Sequence, residues 1–171
     1  MANIVDSGER REFDSGAVRD VADGKGRGDL LPLDVIADLL DWHCATYGQK
    51  MNHNPLDALA SFINDGDQRE IYRALYGFCT HNSWDVPTMV LEVSKHFEDG
   101  AKKYGERNWE KGIPAHCYLD SAVRHYLKWF VDMIDERHDR AFCWNLLCLV
   151  WTLRHRPECN DLIGDCNGNG G

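Results

Sequence analysis

Ten consecutive residues, Lys102-Lys103-Tyr104-Gly105-Glu106-Arg107-Asn108-Trp109-Glu110-Lys111, set cations, an amide and aromatic rings in one turn and loop. A phosphorylated purine has matching needs. Lys102, Arg107 and Lys111 can neutralise phosphate, Asn108 can pair with a purine edge, and Trp109 beside Tyr104 offers a stacking face. A surface loop held by one anchoring tryptophan would carry the same residues, so the pattern alone leaves both readings open. Upstream, Asp23-Gly24-Lys25-Gly26-Arg27-Gly28-Asp29 alternates glycine with charge. Lys25 and Arg27 could close over the same phosphates; a plain linker fits equally well, and the spacing is not that of a P-loop.

A second constellation is acidic. At 3.6 residues per turn, His125, Trp129, Asp132, Glu136 and Asp139 share one stripe if a single helix continues that far, and from the same helix Arg124 and His125 could contact the phosphorylated purine. Carboxylates three or four residues apart on a helix can hold Mg²⁺, which prefers hard oxygen ligands and offsets phosphate charge. Glu98, bordering an apolar stripe on the preceding helix, would supply a fourth carboxylate. A solvated acidic face gives the same pattern. His138-Asp139 spells the dyad of HD phosphohydrolases, but the remaining acids and histidines lack that family's order. Asn145 reads as a hydrogen-bonded core amide, and no nucleophile motif or zinc spacing is present.

The elements that must position these groups are helical. Leu33 to about Tyr47, Pro55 to Ile63, Gln68 to Cys79, and a long segment from Pro87 to Gly105 all show helical spacing. Ser83 or Asp85 caps the long one, whose stripe is Val86, Val90, Val93, Phe97, Ala101 and Tyr104. Leu119 to about Asp135 follows, with Val123, Tyr126, Leu127, Phe130 and Ile134 inward. Arg137 and His138 would fall on that inward face, so the helix should bend before them. Asp139 could cap the last helix, Arg140 to about Arg154, whose Leu146 to Trp151 interior is apolar nearly all round and must be buried. No alternation lasts long enough for a sheet, so the expected class is all-α, with the final two helices as a long antiparallel hairpin.

The chain of 171 residues suits one domain: an arm at 1–29, a helical domain at 30–163 and a tail at 164–171. A net charge of −9 argues against duplex nucleic acid as a partner. No apolar run reaches a membrane span and no leader is visible, which makes the cytoplasm the expected location. Seven cysteines without a C-x-x-C pair should be reduced thiols. The aromatic load of Trp129, Phe130, Trp144 and Trp151 is large for one small core, which points to a homo-oligomer.

Several blocks in order, Ser15-Gly16-Ala17-Val18-Arg19-Asp20, Gly24-Lys25 through Pro32, Gly100 to Trp109, Ser121-Ala122-Val123-Arg124-His125 and Trp144-Asn145, resemble the phage and bacterial family named for the N-terminal domain of dATP/dGTP diphosphohydrolase. The resemblance implies a compact helical protein that handles purine nucleotides, often virus-encoded and related in fold to MazG-like pyrophosphohydrolases. Those enzymes carry an E-x-x-E pair and an E-x-x-D pair on successive helices. Glu136 to Asp139 supplies the second, whereas Glu92 is followed at i+3 by Lys95 and Glu98 by Ala101. The expected function is therefore to bind a purine nucleotide, or a nucleotide-derived messenger of host immunity, without cleaving it and with no cofactor. The alternative is a Mg-dependent dATP/dGTP diphosphohydrolase, with Mg²⁺ on Glu98, Asp132, Glu136 and Asp139.

Overall fold

The structure, a computed structural model, describes residues 9–46 and 54–162. Among these residues six α-helices form: α1 (Leu33–Thr46), α2 (Pro55–Asp65), α3 (Gln68–His81), α4 (Val86–Tyr104), α5 (Ala115–Phe130) and α6 (His138–His155). Their ends follow local chemistry. The Asn54 side chain accepts from the Leu56 amide at the start of α2, with Pro55 in the first turn. Of the two candidate caps for α4 the chain uses Asp85, whose carboxylate accepts from the Thr88 amide at 2.7 Å. Gly105, at φ 90°, ends that helix where a side chain would be strained.

Helix α6 is the centre of the molecule. Leu146, Leu147, Cys148, Leu149 and Val150 are all fully buried, because α1, α3, α4 and α5 pack around it. Helices α5 and α6 run antiparallel: Tyr126 meets Phe142 near their connecting turn, and Tyr118 meets Trp144 farther away. At about 1.5–3 kcal/mol for each large apolar side chain removed from water, this helix contributes much of the driving force for folding. None of the described helices is long and apolar enough to cross a membrane. The described cysteines carry free thiols, and burial pushes Cys79 up to about 12.

Four expectations are corrected. Part of the arm is a small antiparallel sheet, β1 (Arg10–Glu12) with β2 (Val18–Asp20), in register Arg11 opposite Arg19. It escapes a search for alternation because its residues are almost all exposed; the hairpin is set by its turn, in which the Gly16 amide donates to the Phe13 carbonyl with Gly16 at φ 79°. Second, α5 stops at Phe130. The Asp132 amide donates to Trp129 and the Met133 amide to Lys128, with Asp132 left-handed at φ 55°, which closes the helix as a Schellman motif. The continuous stripe from His125 to Asp139 therefore does not exist, and Leu127, Phe130 and Ile134 are exposed, Ile134 to 96%. Third, Asp139 does not cap α6, since it lies inside the first turn and accepts from the Arg140 amide at 2.8 Å. Fourth, Tyr104 leaves the α4 stripe for solvent, while Met89, Ser94 and Glu98 take buried places on that helix. The expected tail at 164–171, the end of α1 at Tyr47 and the last domain residue, Ile163, lie outside the described residues.

Candidate functional site

The glycine-rich end of the arm is fastened to α4 by one buried carboxylate. Glu98, 6% exposed, accepts the Gly24 and Gly26 amides, each at 2.8 Å, and pairs with Lys102 at 2.8 Å. These contacts, led by Lys102, hold its carboxyl down at about 2 against an ordinary 4.5. Gly26 is required by close approach: it sits at φ 89°, and a Cβ there would come within 2.0 Å of Ser94 Oγ. Arg27 then donates its amide to Ser94 and pairs with Asp29 and Glu106, while the Arg107 guanidinium bonds the Asp29 carbonyl at 2.7 Å. The arm is thus tied to α4 at one end of its charge-rich run and to the loop after α4 at the other.

Beside this junction lies a cavity of about 600 Å³ between α4, the loop 105–113, α5 and the start of α6. Four cations line it: Lys103, Arg107, Arg137 and Arg140; Asp99 and Glu136 are the acids. Its aromatic wall is built on Trp144, which packs against His96, Phe97 and Tyr118. Trp109 is only 5% exposed, wedged edge-on against Phe97 and Trp151, and its buried indole N–H finds no acceptor among the described residues. An unmet buried donor of this kind costs about 1–3 kcal/mol until something accepts from it. Arg107 is left-handed at φ 53°, a conformation that a non-glycine residue holds only when its surroundings impose it. Burial holds the His96 and His125 imidazoles below their ordinary range, which favours the neutral form in the cavity wall.

The structure brings together Tyr104, Arg107, Asn108, Trp109, His125 and Glu136 of the sequence candidates in this cavity. It does not bring in the others. Lys25, Lys111 and Arg124 do not line it, and Arg124 pairs with Asp120 on the exposed side of α5. Arg27 and Lys102 border a separate open groove under the arm, where Asp23, Glu98 and Glu106 already oppose their charge. The four expected Mg²⁺ ligands do not form an oxygen cage: Glu98 is committed to the arm, Asp132 closes α5, and Asp139 faces Arg137, leaving Glu136.

Glu136 has different company. Among the described residues, His125, Glu136 and His138 place ligand atoms within 4.8 Å of one another. His138 is buried, its Nε2 lies 2.8 Å from Asp135, and its Nδ1 lies 3.0 Å from His125 Nδ1. With the Asp135 carboxylate accepting from Nε2, His138 presents a lone pair on Nδ1 towards His125. The same contact, with Lys128, holds Asp135 down at about 2.

Sequence reasoning missed Arg137, Arg140, His96, Trp144 and His138 as members of the site. One signal existed: Arg137 and His138 break the apolar phase of the preceding helix, which marks a forced turn. Arg140 gave no such sign, because its place in the wall depends on Glu92, which it pairs with from α6 across to α4 at 2.5 Å.

A family model described as dATP/dGTP diphosphohydrolase, N-terminal, matches residues 65–162. That span is more than half of the 171 residues, and it contains every residue lining the cavity except Leu30. No curated protein and no solved structure matches the chain.

Proposed function

We propose that this chain, which belongs to the dATP/dGTP diphosphohydrolase N-terminal family, binds a purine nucleotide or a nucleotide-derived phosphorylated small molecule and holds it uncleaved. The observation that carries the reading is the cavity: Lys103, Arg107, Arg137 and Arg140 stand beside Trp144 in its wall, the three arginines held in place by Glu110, Asp139 and Glu92, in a chain whose net charge is −9. A volume of about 600 Å³ lies within the range of small-molecule sites. In a virus-encoded copy, the role consistent with binding alone is sequestration of a host immune messenger in the cytoplasm. The exposed residues Leu127, Phe130, Val131, Met133 and Ile134 give a homo-oligomer an apolar surface to use.

The second reading is a Mg-dependent diphosphohydrolase that splits dATP or dGTP into monophosphate and pyrophosphate. Glu136 in the cavity wall favours it; the dispersal of Glu98, Asp132 and Asp139 weighs against it, because a leaving pyrophosphate needs its charge offset by a fixed ion. One experiment separates the two. The protein is mixed with purine nucleotides and nucleotide messengers in Mg²⁺, heat-denatured, and the supernatant is run on HPLC. Intact ligand released on denaturation supports the binder. Monophosphate and pyrophosphate accumulating over many turnovers, and lost with Glu136→Gln, establish the enzyme; no ligand retained and none cleaved refutes both.

A further inference from the structure

We propose that His125, His138 and Glu136 form a site for one divalent transition-metal ion of the Zn²⁺, Mn²⁺ or Fe²⁺ class, built across the turn between α5 and α6 and oriented by Asp135. Three observations converge on it. The three side chains already bring ligand atoms within 4.8 Å of one another. The two imidazole nitrogens stand 3.0 Å apart; two nitrogens bound at about 2.1 Å to one ion stand ~3.0 Å apart at a right angle and ~3.4 Å apart at the tetrahedral angle. Finally, Asp135 holds the far nitrogen of His138 at 2.8 Å, the arrangement by which a carboxylate fixes the tautomer and aim of a metal-bound imidazole.

Without an ion the short nitrogen contact is a hydrogen bond that needs a proton on His125 Nδ1. Moving that proton to Nε2 frees the second lone pair, so loading requires a change of tautomer and little movement. Two nitrogens and one carboxylate are a borderline donor set, which selects a transition metal over Mg²⁺. His125 and Glu136 also line the cavity, so the ion sits in its wall. Its remaining positions can take water or, if the cavity binds a phosphorylated ligand as proposed above, an anionic oxygen.

The test separates the metal from that ligand. The full chain, stripped by a chelator, is titrated with Zn²⁺, Mn²⁺, Co²⁺ and Mg²⁺ in turn without nucleotide, and binding is followed by calorimetry and, for Co²⁺, by its visible spectrum. The expected result is one ion per chain. Affinity should fall at least tenfold in His125→Ala and in Glu136→Gln, and 10–100-fold in Asp135→Asn, a residue that does not touch the ion. His138 is buried and its replacement can unfold the chain, so the first three variants, checked by circular dichroism, decide the matter. Absence of stoichiometric binding, binding unchanged by all three variants, or Mg²⁺ bound as tightly as Zn²⁺ overturns the site. A purine nucleotide that binds the stripped protein while no metal does would refute this inference and leave the cavity reading standing.

Discussion

Replacing Glu98 by glutamine removes the charge that joins the arm to α4 while keeping the side-chain shape. The carboxyl is held at about 2 instead of 4.5 by Lys102 and by the Gly24 and Gly26 amides. At about 1.4 kcal/mol per pH unit that difference has a ceiling of roughly 3–4 kcal/mol. Lys102 is half exposed, so water screens its part, and glutamine still accepts from one amide. The expected loss is therefore about 1–2 kcal/mol, taken mostly as local opening of the arm. Hydrogen exchange at the Gly24 and Gly26 amides reads it, with protection falling about tenfold in Glu98→Gln at pH 7 while core amides of α6 change less. The pH dependence has a fixed sign. A carboxyl whose folded pKa is depressed contributes fully above its unfolded value and loses the contribution as pH falls through the folded one, so the gap between wild type and variant should be constant above about pH 5 and shrink between 4.5 and 2. Equal protection in both proteins, or a gap of constant size from pH 6 to pH 3, would refute the clamp.

The same clamp predicts that Gly26→Ala destabilises the arm by about 1–3 kcal/mol, through strain at φ 89° and collision with Ser94, measurable as faster tryptic cleavage at Lys25 and Arg27. Arg140→Ala should weaken binding of a purine nucleotide by about 1–3 kcal/mol, whereas Arg124→Ala, outside the cavity, should leave calorimetric affinity unchanged; equal losses would misplace the site. Asp132→Gly, at the left-handed end of α5, should raise the unfolding free energy by about 0.5–1 kcal/mol in urea, and a drop would mean that the Asp132 side chain does more than end the helix.

The sequence by itself determined the helices, though neither the end of α5 nor the β1–β2 pair. Asn54, Asp85 and Gly105 mark helix ends through local hydrogen bonds and backbone preference, and the run from Leu146 to Val150 had to be buried because no face of it could meet water. The loop from Lys102 to Lys111 was visible as chemistry for the same reason, since its residues are neighbours in the chain. Tertiary structure decided which charges remain available. Glu98 looks like a metal ligand until the Gly24 and Gly26 amides are seen to use it, and Lys102 and Arg27 look like phosphate contacts until Asp23 and Glu106 oppose them. Periodicity reports one helix face at a time. It could not report that Asp132 ends α5 and turns the chain back, the event that sets His138 against His125 and brings Arg137, Arg140 and Glu136 into the cavity wall, because a turn geometry held by two backbone hydrogen bonds leaves no repeating mark in the residues around it.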